Sequence, residues 1–383
     1  MTPTPQDVVS PNEAEPKLPG DRIVISGMAG LYPEAYNVKE LQDILYNKVN
    51  PVTSENCRWK YDHPEVSQYT GKVPDLEYFD GQFFKVHYRL GNTMDSMSRK
   101  ILEQAFQAIY DSGVSSDELS GKKIAVYMGT CFSEAEKANF YMSNTRTGFG
   151  IMGCSKSMFA NRISYWLNAK GPSMSVDQAC CSSTVALELA YNSILHGEVD
   201  AAIVGGASLC LLPQSSVHLR RVLLLNKDGK TRSFDKNACG CNKSEAINVL
   251  FLQRAKDALR VYAEVVNVKS EFTGLLEDEN GPKFGFYRNP AIVTDFLKNF
   301  YKESKVAPEA VEYVEAVGSA EPENDKMELE VINEVFCKKR NETLLVGSVM
   351  SNIGYGEAAS GTSAITKVLL GYEKGEIASN INC

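Results

Sequence analysis

The stretch Gly171–Ala190, GPSMSVDQACCSSTVALELA, decides the fold of this chain. Its first part, residues 171–177, predicts a buried strand, and two cysteines, Cys180 and Cys181, stand directly before an apolar helix. A cysteine between a strand and a helix lies at the positive end of the helix dipole, where the pKa of a thiol falls and backbone N–H groups can bind an oxyanion. Spacing alone still favours two inert, buried thiols at a helix start, because most intracellular cysteines are unreactive.

Strands and helices alternate along the rest of the chain. Continuous apolar runs predict strands at residues 21–30, 122–130, 200–208, 260–268, 311–319 and 343–349. Apolar residues at helical spacing predict helices at residues 38–48, 97–113, 292–304 and 361–376. This alternation predicts an α/β fold with a largely parallel sheet covered on both faces, and two halves of similar architecture.

The composition excludes several classes of protein. The chain has 383 residues, of which 43% are hydrophobic and 23% charged, as in a globular protein that buries a core. The net charge of −8 argues against a general nucleic-acid binder or a polybasic membrane-surface protein, so we expect no nucleic-acid partner. No apolar run reaches the roughly 18 residues that would predict a membrane span.

The cysteines and the N-terminus indicate a reducing compartment. Ten cysteines stand at irregular spacings, and residues 1–20 are rich in proline and lack the pattern of a secretory signal. We therefore expect free thiols, a cytoplasmic location and a disordered tail over residues 1–20. Cys239 and Cys241 lack a second cysteine or histidine pair at zinc-site spacing, so we expect no metal and no cofactor.

The stretch 171–190 resembles the active-site element of the β-ketoacyl synthases, in which GPS, a strand, D-T-A-C-S-S-S and a helix recur. The resemblance runs from about residue 20 to the C-terminus and, as a set, its motifs are highly specific. Further segments resemble the ketosynthase domain of animal fatty acid synthase at residues 20–45, 58–87, 93–114, 160–166, 201–208 and 232–245.

This resemblance implies a thiolase-like fold, layered αβαβα, with two related halves over residues 21–260 and 261–383. It also implies a homodimer that acts on an acyl chain carried as a thioester on a carrier protein. Members of the family join acyl units by decarboxylative Claisen condensation. Family members continue beyond the position of residue 383 with an N-S-F-G-F-G-G-x-N-x-H element, so the resemblance implies an incomplete second half.

Carried over residue by residue, the family motifs place the acyl nucleophile at Cys180. The first catalytic histidine belongs to E-A-H-G-T-G-T, which reads EAVGSAE in this chain, so Val317 stands in its place. The lysine and second histidine belong to S-x-K-S-N-x-G-H, which reads SVMSNIGY, so Met350 replaces the lysine and Tyr355 the histidine. His87 falls where family members have a histidine outside the catalytic set, and we interpret it as structural.

These substitutions predict that condensation is lost. Val317 offers no hydrogen bond, Met350 carries no charge, and Tyr355 keeps one O–H donor but titrates near pH 10. Removing one oxyanion donor typically lowers a rate roughly 100- to 1000-fold. We therefore expect an inactive pseudoenzyme, or one that only loads an acyl group on Cys180.

Two alternatives stay open at this stage. The altered site, lined by Val317, Met350 and Tyr355, could bind an acyl or other lipid-like ligand without catalysis, or the chain could be the partner subunit of an active ketosynthase. The adjacent thiols of Cys180 and Cys181 raise a separate question, because they could form a redox-active disulfide or contact a soft metal. We favour the interpretation that Cys181 simply replaces a serine, since adjacent cysteines fit disulfide geometry poorly.

Overall fold

A computed structural model describes residues 20–55, 57–59, 64–141, 148–278, 281–282 and 288–382. The predicted tail, apart from Gly20, and His63 lie outside the described residues. The strands are β1 Ile23–Leu31, β2 Val52–Thr53, β3 Thr70–Gly71, β4 Ile124–Thr130, β5 Ser173–Val176, β6 Ala201–Ser208, β7 Ala246–Arg254, β8 Ala263–Glu264, β9 Glu277–Asp278, β10 Gly281–Pro282, β11 Tyr313–Glu315 and β12 Leu345–Gly347. The helices are α1 Val38–Tyr46, α2 Tyr88–Gly91, α3 Ser96–Asp111, α4 Ser116–Leu119, α5 Glu134–Tyr141, α6 Gly150–Cys154, α7 Met158–Leu167, α8 Ser182–Leu195, α9 Pro213–Leu219, α10 Pro290–Ser304, α11 Pro322–Ile332, α12 Val349–Ile353 and α13 Ser360–Lys374.

The main sheet has six strands in the order β5-β4-β6-β7-β1-β8. Only β4–β5 and β4–β6 are parallel, whereas β6–β7, β7–β1 and β1–β8 are antiparallel. The prediction of a largely parallel sheet is therefore wrong. The difference comes from β7, which the sequence pattern did not predict. This strand lies between β6 and β1 and runs antiparallel to both.

Both faces of this sheet are covered by helices, as predicted. Along β4 the side chains alternate, because Ile124, Val126 and Met128 pack in a core with α3 and α7, and Ala125 and Tyr127 pack on the other side with α1, α8 and α13. This period of two is the pattern of a strand that is buried on both faces.

A smaller sheet, the parallel pair β11–β12, completes the layering. Its outer face packs in an apolar cluster with α10 and α11. On its inner side, Lys367 of α13 forms a buried ion pair with Glu315 of β11 at 3.2 Å. Helix α13 therefore lies between the two sheets, and the order of layers is helix, sheet, helix, sheet, helix.

The strand predicted at 260–268 forms only over Ala263–Glu264, where it pairs with β1. The flanking residues add single backbone hydrogen bonds to β1, from Tyr262 to the carbonyl of Ile25 and from Val265 to that of Ile23, each at 2.9 Å. The side chains of Val265 and Val268 pack against the core. The prediction at 311–319 is likewise shortened to Tyr313–Glu315. Among the described residues, no helix is long and apolar enough to span a membrane.

The contact between β4 and the start of α8 holds the central layers together. A Cβ atom at Gly129 would lie 2.5 Å from the backbone nitrogen of Ser183 and 2.6 Å from the carbonyl carbon of Ser182. We expect Gly129→Ala to lower the free energy of unfolding by about 1–3 kcal/mol, because the helix start must move away from the strand. Denaturant unfolding measures this change.

The matched control is Gly150→Ala, where a Cβ atom meets nothing within 4 Å and the glycine begins α6. This variant should be neutral or slightly more stable, because alanine is preferred in a helix. Equal stabilities of the two variants would contradict the proposed close contact.

Candidate active site

Cys180 lies in the short turn that joins β5 to α8. Residues Ala179–Cys181 form one turn of 3-10 helix, and Ala179 adopts a left-handed backbone conformation with φ of 50°. The turn is closed by Ser182, whose hydroxyl accepts a hydrogen bond from the backbone of Gln178 at 2.9 Å and donates one to the carbonyl of Ala179 at 2.6 Å. The predicted strand–cysteine–helix arrangement is thus present, with Cys180 at the N-terminal side of a fourteen-residue helix.

Two of the three predicted replacement residues lie beside this cysteine. Met350 and Tyr355 are buried, 4% and 7% exposed, and form one cluster with Cys241, against which Cys180 packs. The side chains of Leu219, Leu223 and Leu225 complete the cluster. The side chain that stands in the predicted lysine position is therefore surrounded by apolar groups.

Two backbone hydrogen bonds hold the main chain of Tyr355. Its N–H donates to the carbonyl of Asn242 at 2.8 Å, and its own carbonyl accepts from the N–H of Ser244 at 2.8 Å. Its side chain packs in the buried cluster against Cys180, and the phenol lowers the pKa of that thiol. The backbone at this position is therefore held independently of the side chain.

Val317 is placed differently from the other two. It follows β11 and is 47% exposed, so its side chain is not part of the buried cluster. Its backbone is nevertheless held firmly, because its N–H donates to Glu328 at 2.8 Å and its carbonyl accepts from the hydroxyl of Ser348 at 2.6 Å. The next N–H, from Gly318, donates to the second oxygen of Glu328 at 2.9 Å.

The surroundings of Cys180 stabilise its thiolate. A hydrogen bond from the thiol of Cys181 has the largest effect and outweighs the opposing effect of burial. The hydroxyl of Tyr355 and the positive charge of Arg288 act in the same direction, and together they lower the pKa of Cys180 to about 6. The pKa of Cys181 is raised, first because it donates to Cys180 and second through burial.

The three histidines of the described residues belong to elements other than the Cys180 turn. His87 caps α2, where its Nδ1 accepts a hydrogen bond from the N–H of Arg89 at 3.3 Å, which agrees with the structural role we expected. His196 ends α8 and His218 belongs to α9. Within the described part of the chain, no imidazole is among the leading contributions to the pKa of Cys180.

Three charged residues of this region were not predicted from the sequence. Arg288 acts on Cys180 and Cys181, although it stands just before α10 and far from both in sequence. Lys243 and Glu357 form an ion pair at 3.1 Å with both side chains almost fully buried. Only the fold shows that this pair lies next to the site, because Lys243 is bridged to Tyr355 along the backbone.

The layered fold and a thiol at a strand–helix junction define an acyl-transferring condensing-enzyme scaffold. Residues 20–258 match the model of the beta-ketoacyl synthase N-terminal domain, and residues 270–383 match that of the beta-ketoacyl synthase C-terminal domain. The chain therefore belongs to the beta-ketoacyl synthase family.

Relatives of known name include both fatty acid and polyketide synthases. The chain is 38% identical to the fatty acid synthase of the goose Anser anser anser over 353 residues, which cover 92% of this chain and 99% of the goose sequence. It is 33% identical to the polyketide synthase PksL of Bacillus subtilis over 366 residues, covering 92% of this chain but 8% of that protein.

Solved structures of ketosynthase domains share the fold, which is thiolase-like. The ketosynthase from module 6 of the bacillaene synthase of Bacillus subtilis aligns with a TM-score of 0.81 and 31% identity, covering 94% of this chain and 62% of that one. The oxazolomycin ketosynthase domain OzmH KS7 from Streptomyces albus aligns with a TM-score of 0.81 and 26% identity, covering 92% and 63%. The chain thus spans somewhat less than two thirds of these solved ketosynthases.

The lowered pKa of Cys180 gives a direct test of the site. Alkylation of Cys180 by iodoacetamide, followed by peptide mass spectrometry, should reach half its maximal rate near pH 6, because only the thiolate reacts. Tyr355→Phe removes one hydrogen bond to the thiolate and should move the midpoint upward by roughly half to one pH unit.

The matched control is Tyr372→Phe on α13, an exposed tyrosine that makes the same chemical change away from the site. It should leave the midpoint unchanged. A profile that is identical in Tyr355→Phe and the parent protein would show that the phenol does not stabilise the thiolate.

Proposed function

We propose that this protein accepts an acyl group from a carrier-protein thioester onto Cys180 and does not carry out the condensation that follows in active ketosynthases. The observation that carries the proposal is the place of Cys180 at the start of α8, where it packs against Met350 and Tyr355. Membership of the beta-ketoacyl synthase family supports an acyl thioester as the substrate.

The loading step is a thiol–thioester exchange. The Cys180 thiolate attacks the carbonyl carbon of the acyl thioester, and the tetrahedral intermediate collapses with release of the carrier thiolate. A new C–S bond forms on Cys180, the C–S bond to the carrier breaks, and the carrier thiolate takes a proton from water. The hydroxyl of Tyr355 lies beside the sulfur and can donate a hydrogen bond to the developing oxyanion.

Condensation also requires stabilisation of negative charge on a second thioester, which these residues do not provide. Loss of carbon dioxide from a malonyl group builds negative charge on the thioester oxygen, which needs donors or positive charge placed at that oxygen. At the positions aligned with the family's histidines and lysine, this chain offers an alkyl group at Val317, a thioether at Met350 and one phenol at Tyr355.

The proposal predicts acylation without turnover. Incubation with acetyl-coenzyme A or a longer acyl-coenzyme A should add about one acyl group per chain, mapped to Cys180 by peptide mass spectrometry, and Cys180→Ala should abolish it. Addition of malonyl-coenzyme A should release neither carbon dioxide nor a ketoacyl product above background.

Cys181→Ser serves as the matched control, because it keeps the nucleophile and should still become acylated. Steady formation of a ketoacyl product by the parent protein would overturn the proposal. A stoichiometric lipid that stays bound non-covalently in Cys180→Ala would instead support the alternative of a lipid-binding protein, and co-purification with an active ketosynthase would support a partner subunit.

We further propose that the protein forms a homodimer through β5. This strand stands at the edge of the main sheet, and in the described structure it pairs only with β4. Met174 on β5 is 45% exposed, and Tyr165 on the adjacent α7 is 71% exposed. A second copy related by a two-fold axis would pair the two edges and cover these side chains.

Light scattering after gel filtration tests this interface. The parent protein should have the mass of a dimer, and Met174→Lys should shift it to a monomer because it places two charges near the axis. Leu195→Lys, at an equally exposed leucine at the end of α8, should remain dimeric. A monomeric parent protein would refute this assembly.

The free thiols support a reducing compartment as the location of the protein. The nine cysteines in the described ranges are all free. We propose the reducing cytoplasm as the location, because unpaired thiols persist there.

A further inference from the structure

A lysine and a glutamate form a buried ion pair beside the candidate active site. Nζ of Lys243 lies 3.1 Å from Oε1 of Glu357, and the two side chains are only 3% and 6% exposed. A buried charge is costly unless it is paired, and even a paired one contributes little net stability. The position of this pair in the fold is therefore more informative than its energy.

Glu357 lies against the turn that carries Cys180. It begins the short turn Glu357–Ala359, which packs on the turn Ala179–Cys181. The backbone of Glu357 is left-handed, with φ of 43°, a conformation that a residue with a side chain keeps only where its surroundings enforce it. Its second carboxylate oxygen accepts a hydrogen bond from the hydroxyl of Ser208, at the end of β6, at 3.2 Å. The carboxylate is thus held at the end of the main sheet, next to the Cys180 turn.

Lys243 connects this carboxylate to a second buried acid. Its Nζ donates a hydrogen bond to the hydroxyl of Ser215 at 2.8 Å, and that hydroxyl donates to Glu134. Glu134 also accepts hydrogen bonds from the backbone N–H groups of Leu211 at 2.6 Å and Leu212 at 2.8 Å. Because Glu134 has these donors of its own, the ammonium of Lys243 is available to compensate the charge of Glu357.

The other charged groups near Cys180 belong to different elements. Asp177 is paired with Lys156 at 2.8 Å, and Arg288 acts on the thiol from the segment before α10. Burial raises the pKa of four neighbouring groups far above neutral pH: Cys131, Cys210, Cys241 and Tyr355. The pKa of Cys181 is also raised. The charges of Lys243 and Glu357 can therefore be removed near pH 6 without removing another ionised group.

We propose that Lys243 and Glu357 are positioning residues of the candidate active site: Glu357 holds the turn that packs against Cys180, and Lys243 cancels the negative charge that this carboxylate places beside the thiol. A thiolate forms less readily next to an unpaired carboxylate, because like charges repel. The pair acts through Cys180 and contacts no reacting atom itself. The inference rests on Cys180 being the reactive group of the proposed function, and it names the buried charges that govern its ionisation.

Opposite shifts in the pH profile of Cys180 test this assignment. The measurement is alkylation by iodoacetamide, followed by peptide mass spectrometry. Lys243→Met leaves the carboxylate of Glu357 unpaired and should raise the midpoint by roughly half to one pH unit. Glu357→Gln leaves the ammonium unpaired and should lower the midpoint by a similar amount. The double variant, Lys243→Met with Glu357→Gln, removes both charges and should return the midpoint to that of the parent protein.

The matched control is Lys100→Met on α3, on the opposite face of the main sheet. Lys100 is also buried and pairs with Glu103 at 2.8 Å, so its removal repeats the loss of a buried ammonium away from the site. This variant should leave the midpoint of Cys180 unchanged. A shift as large as that of Lys243→Met would show that the effect comes from general loss of stability and would overturn the proposal.

Shifts of the two single variants in the same direction, or no shift in either, would also overturn it, because damage to packing has no sign. Glu357→Gln keeps the shape of the side chain and must lower the midpoint on its own, so the test stands even if Lys243→Met does not fold. Alkylation needs neither an acyl donor nor a carrier protein. Failure of acyl loading would therefore leave this test intact, and failure of this test would leave the acylation result standing.

Discussion

The close contact of α8 with the central sheet is the constraint that positions the candidate site. Gly129 on β4 and Gly206 on β6 both lie against the start of this helix, where a Cβ atom at Gly206 would come within 2.8 Å of the side chain of Ser183. Ser182 and Ser183 are fully buried there. Since the helix start cannot slide over these strands, the turn that carries Cys180 has one position relative to the sheet.

The loops that face this turn are also fixed through the main chain. The backbone of Val317 is bound to Glu328 and Ser348 at both its N–H and its carbonyl, and Tyr355 is held between the backbone groups of Asn242 and Ser244. These contacts do not involve the side chains at the two positions. The loop geometry therefore does not depend on the side chains at these two positions.

The sequence predicted the elements that are buried on both faces or strongly amphipathic. The strands β1, β4 and β6 and the helices α3 and α13 agree with the predictions within a few residues, because their apolar spacing follows directly from what they bury. Strand β7 was missed, and with it the antiparallel half of the sheet. Strand direction depends on partners far away in sequence, which a local pattern does not contain.

The site was predictable only in part for the same reason. Cys180 was placed at a strand–helix junction because its neighbours in sequence define that junction, whereas its packing against Tyr355 is seen only in the fold. Arg288 and the buried pair of Lys243 and Glu357 were not found, since their relation to the thiol exists only in three dimensions.

Under the proposed function, the environment of Cys180 serves an exchange reaction and not the formation of a carbon–carbon bond. Cys181, Tyr355 and Arg288 lower the pKa of Cys180, and a thiol with a lowered pKa attacks a thioester with less need of a general base. In thioester exchange one thiolate attacks and another leaves. The transition state needs little more than a hydrogen-bond donor at the carbonyl oxygen. Condensation instead needs stabilisation of an enolate on a second substrate, some distance from the sulfur. Stabilising groups concentrated on the sulfur itself favour the first reaction and contribute little to the second.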